Sequence, residues 1–501
     1  MEMEFSVQQV SCLRPLTRQQ QNQEQTQEAV IPDSSPDIGR ILGCWGTPLV
    51  RSTQWRERGM SLSGGVTARA LYLPEGGTEP ILVEAWLPFT FNWEFEAGAN
   101  QGQMCFDLRL RGAEARMISA RKLLFRMNVA ARGEAYQNDT VAFYSPQDVP
   151  KDVELKKERY PLVIPGELSC KQFSLDEELE LPGACPAVGK IMDYRIRPQV
   201  TECKVLGGKA VYKGNMGLHL LYLDPDGRLC TWDEEIPFSQ YTDLVGSYDQ
   251  EEELQVSLLP MDMELECDEE GRRLRLRAGF TGQCMVLCRH LREVVEDAYS
   301  VRREVGLHHK PLGLETRLDH QLIQEMGTAE FPVTGNLVDW SVFPDYPRVN
   351  RNGDAVELET PVFAQVLYTD DNGQLQGRSV HATVRGRSAL EEHCRCSADS
   401  AFVDAPQWSG GAGNSQLRFG LQLTADSYPR EPMSVVTGLE LGDLRQPDPN
   451  RPSILIRRPQ GVCSLWDIAK SSGSTVAAIQ SANALDSQYA DPDRLLLIPV
   501  M

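Results

Sequence analysis

A seven-residue motif that occurs three times constrains this chain more than any other feature. It spans Pro36–Leu42, Pro186–Met192 and Pro332–Val338, and each copy reads proline, two residues, glycine, a polar residue and two apolar residues. Pro186 follows Pro36 by 150 residues, and Pro332 follows Pro186 by 146. A fixed spacing of this kind is typical of a repeated structural unit.

The two spacings hold beyond the motif. The run Leu71–Leu73 (Leu-Tyr-Leu) recurs as Leu221–Leu223, and its first two residues recur as Leu367–Tyr368. The same spacings relate three further prolines: Pro48, Pro198 and Pro344. The sequence therefore predicts three copies of one unit.

The motif is interpreted as a structural turn, although its Asp, Pro and Gly content is also found in active-site loops. Asp37 is replaced by Ala187 and by Val333 in the other copies, so the unit does not require a carboxylate there. Proline, glycine and the apolar pair persist, and these residue types suit a turn that leads into a buried strand.

Alternating apolar and polar residues mark strands inside the units, as in Val66–Leu73, Cys105–Arg111 and Leu274–Arg277. Alternation with a period of two is typical of half-buried strands. The pairs Asp226-Gly227 and Asn372-Gly373 are typical of hairpin turns. The predicted fold class is mainly β, with three β-rich, sandwich- or barrel-like repeat domains followed by a small β-α-α-β domain.

We place the repeat domains at residues 25–137, 172–300 and 318–443, the third being the most diverged, and the small domain at 452–501. Residues 1–24 include a Gln-rich run without apolar periodicity, which predicts a polar, partly disordered N-terminus. Several prolines and a charged run make 138–171 a predicted linker.

Charge and cysteine content exclude some function classes. The chain has 501 residues, with 50 Lys and Arg against 71 Asp and Glu, and its net charge is −21. Such acidity argues against nucleic-acid binding and against docking on an anionic membrane. The sequence also shows no secretion signal and no apolar run long enough for membrane insertion. The 13 scattered cysteines are then expected to be reduced in a cytosol.

The last fifty residues change from strand to helix periodicity. Ile454–Ile456 is a predicted strand, and Ser464 caps a predicted helix whose Leu465, Ile468 and Ala469 share one face. A second short helix follows, and a strand over 495–499 closes the domain. This order predicts a very small domain with its own core.

Two stretches resemble a known family. Ile31–Leu42 and Asp297–Ser300 are similar to the opening and the end of the SPOCS domain, also called DUF3794, which occurs in spore-forming Firmicutes. Residues 464–469 and 476–499 resemble a LysM domain. SPOCS repeats followed by a terminal LysM domain resemble the arrangement of SipL-like spore coat morphogenetic proteins.

The resemblance implies a role rather than a reaction. It implies a non-enzymatic scaffold of spore coat assembly that works in the cytoplasm of the mother cell, at the forespore surface. The implied partner is the SpoIVA-type ATPase of the coat basement layer, bound through the LysM domain. The alternative is a cell-wall protein that binds peptidoglycan or N-acetylglucosamine polymers.

One departure from the LysM pattern bears on this choice. Glycan-binding LysM domains usually have Pro-Gly-Asp-Thr before the first helix, whereas this chain has Pro459–Ser464, with Cys463 at the acidic position and the glycine displaced to Gly461. The altered loop favours a protein partner over a sugar. The candidate binding residues for either ligand are Gly461, Trp466, Asp467, Asn483 and Leu485.

No motif for catalysis or for a cofactor is recognisable in the sequence. Cys284 with Cys288, and Cys394 with Cys396, lack the spacing of a structural zinc site and are interpreted as core residues. The aromatic stretch Trp86–Trp93 could be a carbohydrate platform, but its counterpart in the second unit favours packing. We therefore expect no catalytic residue, no metal and no cofactor.

Overall fold

The three predicted units share one strand topology. The structure is a computed structural model that describes residues 2–96, 100–352, 355–389, 394–410, 413–446, 451–459, 461–492 and 494–501. Each unit contains two antiparallel sheets: the first, last and fifth strands form one, and the second, third and fourth form the other. The fold is mainly β, as the sequence predicts.

The first unit has six strands, with bounds β1 (Phe5–Val30), β2 (Ile38–Arg56), β3 (Gly59–Pro74), β4 (Ile81–Glu94), β5 (Gln103–Ser119) and β6 (Lys122–Pro146). Its sheets have the orders β1-β6-β5 and β2-β3-β4. The second unit repeats them with β7 (Val153–Glu180), β8 (Lys190–Leu206), β9 (Lys209–Leu223), β10 (Leu229–Asp243), β11 (Glu253–Cys267) and β12 (Arg273–Ser300). Its sheet orders, β7-β12-β11 and β8-β9-β10, match those of the first unit.

The third unit keeps this plan with one added strand. After β13 (Arg303–Pro311), its strands are β14 (Asp319–Phe331), β15 (Asn336–Pro344), β16 (Arg348–Asn352), β17 (Ala355–Thr369), β18 (Leu375–Ala389), β19 (Cys394–Gly410) and β20 (Ser415–Pro429), and β21 (Ser434–Leu444) follows. The sheets are β14-β20-β19 and a second one in which β17 pairs with β15, β16 and β18. The diverged third copy therefore preserves the fold of the other two.

The N-terminal segment is a strand, so the prediction of disorder for 1–24 is wrong. Strand β1 pairs with β6 from Phe5 to Val30. Its polar side chains are used locally, since Gln21 donates to the Asn92 carbonyl at 2.6 Å and Gln23 to the Thr90 carbonyl at 2.8 Å. Strand β6 provides hydrogen-bond partners for the backbone N–H and C=O groups of β1, so this part of the chain forms a strand without apolar periodicity of its own.

The predicted linker over 138–171 is also largely strand. Strand β6 continues to Pro146, and β7 begins at Val153. Strand β7 is at the edge of its sheet, where prolines such as Pro161 and Pro165 are tolerated because the missing N–H would face away from the partner strand. Along the chain, the first two units are joined by the short turn over 147–152.

The repeated motif is a turn that packs against the end of the third strand of its sheet. Tyr72 donates its hydroxyl hydrogen to the Pro36 carbonyl at 2.9 Å, and Tyr222 does the same to Pro186 at 3.0 Å. A Cβ at the motif glycine would lie 3.0 Å from Asp224 O in the second unit. The shared spacing of proline, glycine and tyrosine in the first two copies thus follows from close packing.

Sequence reasoning missed one arginine that holds this turn in the first two units. Arg121 donates to the carbonyls of Ser35, at 2.7 Å, and Pro32, at 2.7 Å. Arg272 donates in the same way to Cys185 at 2.7 Å. These bonds tie the turn to the end of the other sheet, and they satisfy carbonyls that the loop leaves unpaired.

Equivalent residues of the three units meet in one apolar core. This core, which we call the central core, contains Leu71, Leu221 and Leu367, all fully buried. The second apolar residue of each motif joins them: Leu42, Met192 and Val338. The predicted repeat register therefore places the same sequence positions around a common centre.

Polar side chains at another equivalent position link the units in a cycle. Arg69 of the first unit lies 3.4 Å from Asp193 of the second, and His219 of the second lies 2.7 Å from Asp339 of the third. In the orientation that satisfies both partners, the Gln365 amide bonds the Cys44 N–H and carbonyl of the first unit at 3.0 Å each. Each unit contacts the next, and the third closes on the first.

The outer ends of the long strands form three antiparallel ribbons, which we call the ribbon bundle. The ribbons are 5–15 with 136–146, 153–165 with 287–300, and β13 with β21. Apolar residues from all three pack together, including Phe5, Val153, Ala298, Leu439 and Leu441, and Met3 just before the first ribbon joins them. The bundle thus adds a second contact shared by the three units.

Two further predictions concern apolar packing. Phe89, Phe91 and Trp93 are buried in the core of the first unit, so this aromatic stretch packs rather than forming a carbohydrate platform. Cys284, Cys288 and Cys394 are buried, and Cys396 is half-buried against the core of the third unit.

Among the described residues, no cluster of three His, Cys, Asp or Glu side chains could hold a metal ion. In the described part of the chain, no helix has the length and apolarity needed to cross a membrane.

Candidate functional site: the C-terminal helical module

The C-terminal residues fold as the sequence predicts. The elements are β22 (Ile454–Arg457), β23 (Cys463–Ser464), α1 (Leu465–Ser472), α2 (Val476–Asn483), β24 (Tyr489–Ala490) and β25 (Leu496–Pro499). Strand β22 pairs antiparallel with β25, and the short β23 pairs with β24. The core beneath the two helices contains Leu465, Ile468, Ile479, Leu496 and Ile498.

Both helices begin at capping residues, the first at the predicted Ser464. The Ser464 hydroxyl accepts from the Trp466 N–H at 3.2 Å, and Asp467 supplies the acidic residue of the first turn. Thr475 caps the second helix, with its hydroxyl accepting from the Ala478 N–H at 3.1 Å. Caps of this kind satisfy helix N–H groups that have no partner within the helix.

One face of α1 is docked on the ribbon of the second unit. The Trp466 indole donates to an Asp297 carboxylate oxygen at 2.8 Å, and its ring lies edge-on to Tyr299 with centroids 4.8 Å apart. Lys470, one turn further along α1, is 2.7 Å from the other Asp297 oxygen. Tyr299 donates its hydroxyl hydrogen to the Ser474 carbonyl at 2.9 Å. We call this contact the latch.

The latch favours the ionised form of Asp297. Burial alone would raise the pKa of Asp297, but hydrogen bonds from Lys470 and Trp466 outweigh burial and lower it. Burial raises the pKa of Tyr299, so this residue acts as a hydrogen-bond donor. The latch is therefore a charge-assisted contact beside an aromatic pair.

The structure separates the five candidate binding residues instead of bringing them to one surface. Trp466 is in the latch and half-buried, whereas Asp467 is exposed. Gly461 is exposed with a φ of +108°, a conformation that suits glycine. Leu485 packs against the core of the module.

Asn483 is a structural residue of the module. Its amide nitrogen donates to the Leu497 carbonyl at 2.6 Å, and its amide oxygen accepts from the Leu497 N–H at 2.8 Å. Asn483 thereby holds the end of α2 against β25. A substitution at Asn483 would disturb the fold of the module, so it cannot report on binding alone.

Sequence reasoning missed an exposed apolar surface on the two-stranded sheet. Ile456 is 66% exposed and its cross-strand partner Leu497 is 44% exposed. Ile454 and Leu495 extend this surface at 59% and 65% exposure. We call these four residues the outer face. The sequence marked a strand at 454–456, but it gave no signal that this strand turns apolar side chains to solvent.

The loop that would contact a glycan precedes α1. Gly461 and Val462 are exposed, Val462 at 71%, whereas Cys463 packs against the core of the module. Gln460, in the same loop, lies outside the described residues. The described part of the loop presents backbone and one apolar side chain.

Comparison with protein families agrees with both parts of this architecture. The family described as SipL, SPOCS domain matches residues 187–266, which run from the turn of the second unit into β11. The LysM domain family matches residues 464–499, which contain both helices and β25. The chain has the SipL-like architecture of SPOCS and LysM domains. These domains support a sporulation protein that carries a module of the peptidoglycan-binding type.

The family matches cover parts of the second unit and of the C-terminal module. The SPOCS match lies in the second unit, and the common strand topology connects that unit to the other two. No curated protein and no solved structure matches the chain. The boundaries at 25–137, 172–300 and 318–443 remain predictions of where each domain begins and ends.

Proposed function

We propose that this protein is a non-enzymatic scaffold of spore envelope morphogenesis. The closed body of three units gives the scaffold, and the LysM module gives the docking element. The proposed partner is a SpoIVA-type ATPase of the coat basement layer. The proposed location is the cytoplasm of the mother cell, at the surface of the forespore.

The observation that carries this proposal is the outer face of the LysM sheet. Ile456 and Leu497 form a directly paired apolar patch, extended by Ile454 and Leu495. Contiguous exposed apolar residues are typical of protein–protein contacts. A polymer of N-acetylglucosamine is recognised chiefly by hydrogen-bonding groups, which this patch does not present. The patch therefore favours a protein partner.

The latch changes the role assigned to Trp466. Because its indole is bonded to Asp297 and packed on Tyr299, Trp466 is not available for a partner in the docked state. We infer that Trp466 orients the module on the body and that the outer face makes the contact. Asp467 is exposed beside the latch and stays a candidate contact residue.

The test is a pull-down of the full chain with a purified SpoIVA-type ATPase. Replacing Ile456 and Leu497 together by serine should weaken binding at least tenfold, because large apolar side chains at the centre of an interface carry most of its energy. Val245→Ser is the matched control, since Val245 is 97% exposed on the second unit. Equal binding by the double variant and by wild type would refute docking through the outer face.

The alternative function is binding of peptidoglycan or N-acetylglucosamine polymers. It is favoured by the LysM family match and by the exposed backbone around Gly461. A sedimentation assay with purified peptidoglycan tests it directly. A valine at position 461 would strain the backbone at this φ. Pelleting of wild type that is lost in Gly461→Val would support the glycan function. Pelleting that is unaffected by this change would count against that loop as the sugar site.

A further inference from the structure

A cavity of about 960 Å³ lies between the three units. All three contribute to its wall, for example Asp107 from the first, Asn215 from the second and Phe402 from the third. Its volume is at the upper end of the range usual for small-molecule sites. The cavity lies in the body of the molecule and is separate from the LysM module.

Most arginines of the cavity wall are already neutralised. Arg109 and Arg132 both pair with Asp399. Arg18 pairs with Glu134 at 3.1 Å, and Arg317 pairs with Glu253. These pairs explain how charged side chains can line a partly buried cavity.

Arg197 is the exception. Within the described residues it makes no hydrogen bond and no ion pair; its guanidinium carbon lies 4.4 Å from the centre of the Trp340 ring and 4.6 Å from that of Phe402. Burial, and then the nearby Arg195, lower the pKa of Arg197 to about 9. Aromatic rings hold the guanidinium in place, and among the described residues no protein acceptor bonds its N–H groups, which stay open to the cavity.

Negatively charged carboxylates of the second unit also line the cavity. Asp233 and Glu235 lie in the cavity wall on the same face of β10; the Asp233 side chain is 72% exposed, and one of its oxygens bonds the His219 ring at 2.5 Å. These carboxylates disfavour a ligand with several negative charges. They suit an ammonium group at some distance from Arg197.

We propose that this cavity binds a small zwitterionic carboxylate of the size of a short peptide. The ligand carboxylate pairs with the two-pronged guanidinium of Arg197, and its ammonium group faces Asp233 and Glu235, which share one face of β10. Arginine presents a planar fork that matches a carboxylate, so the pairing is directional as well as electrostatic. The remaining volume accommodates the polar body of the ligand.

Titration calorimetry of the full chain with triglycine tests the proposal. Triglycine is expected to bind with a Kd of about 1 mM or lower. Triglycine amide, which lacks the carboxylate, should bind at least about tenfold more weakly, because a charge-assisted hydrogen bond is lost. N-acetyl-triglycine, which lacks the ammonium group, should also bind more weakly. Inorganic phosphate should not compete.

Variants of the protein sharpen the same test. Arg197→Met should weaken triglycine binding at least about tenfold, and Arg197→Lys should weaken it less, since it keeps the charge but loses the fork. Glu235→Gln should weaken binding of triglycine without affecting that of N-acetyl-triglycine. Arg430→Met, on the surface outside the cavity wall, is the matched control. Absent binding of triglycine to wild type, or equal binding by its amide, or competition by phosphate, would overturn the proposal.

Discussion

The central core and the latch join parts of this molecule in contrasting ways. The central core buries equivalent residues such as Leu71, Leu221 and Leu367 completely, and ion pairs such as that between Arg195 and Asp339 lie beside it. The latch uses Trp466 and Lys470 against Asp297, and its Lys470 side chain is 43% exposed. Full burial makes the three units one body, whereas the latch is partly exposed, so we expect the module to detach without unfolding that body.

The largest expected effect follows from breaking the buried charge cluster beside the central core. Asp339→Asn should lower the free energy of unfolding by about 3–5 kcal/mol, because Arg195 and His219 lose their shared buried partner. Chemical denaturation of the body measures this loss. Asp443→Asn, on the surface, is the control. A loss within about 0.5 kcal/mol, the usual size for a surface substitution, would contradict the role given to Asp339.

The same cluster predicts how stability depends on acid. Burial opposes ionisation of Asp339, but Arg195 and His219 outweigh burial and hold its pKa at about 2, below the ordinary 3.8. Because the pKa is lower in the folded state, the stabilisation is present above pH 3.8 and is lost as the pH falls toward 2. Denaturation of wild type and of Asp339→Asn across this window should show a steeper acid loss in wild type. Parallel pH profiles would contradict the assignment.

A smaller effect is expected from the apolar part of the central core. Leu221 is fully buried, so Leu221→Ala should cost about 2–5 kcal/mol through lost transfer energy and a cavity. The denaturation midpoint measures the change. Leu291→Ala is the control, because Leu291 is 62% exposed on β12 and should change stability little. Similar losses for the two variants would show that Leu221 is not part of a shared core.

A substitution in the latch is expected to weaken docking of the module without destabilising the body of three units. Trp466→Ala removes the indole donor to Asp297 and the contact with Tyr299, which should cost about 1.5–3 kcal/mol of docking free energy. Small-angle scattering should then show a larger radius of gyration, while the main unfolding transition stays in place. Asp467→Ala, at the neighbouring exposed position, should leave the scattering unchanged. An unchanged radius in Trp466→Ala would contradict the latch.

The smallest effect is expected at the exposed ion pair of the latch. Lys470→Met should weaken docking by about 0.2–1 kcal/mol, since exposed salt bridges contribute little. The difference from wild type should shrink as the salt concentration rises, because ions screen the pair. A loss of docking free energy as large as that of Trp466→Ala, or one independent of salt, would contradict the role of Lys470 as a weak, exposed ion-pair partner.

The repeat register made much of the fold predictable. Fixed spacings related Leu71, Leu221 and Leu367 before any packing was known, and the structure places them in one core. The cyclic polar contacts were not predictable, because the equivalent positions hold three different residues, Arg69, His219 and Gln365. Their partners become apparent only when the three units are arranged around a common centre.

The module was predictable as a fold and less so as a site. Helix caps and apolar spacing identified its elements, since these depend on residues close in sequence. The latch depends on Asp297 and Tyr299, more than 150 residues before Trp466, and no local pattern carries that contact. The prediction of a disordered N-terminus was wrong for a related reason. The backbone of β1 pairs with β6, which is distant in sequence, and the Gln-rich segment itself has no pattern that indicates a strand.

Hydrogen–deuterium exchange of wild type and Trp466→Ala tests most directly whether the module is a detachable part of a closed body. We expect faster exchange in Trp466→Ala at the latch, over 297–301 and in α1, with unchanged protection of Leu218–Leu223, the segment of β9 that enters the central core. Unchanged exchange at both segments, or equally faster exchange at both, would contradict the separation of latch and body.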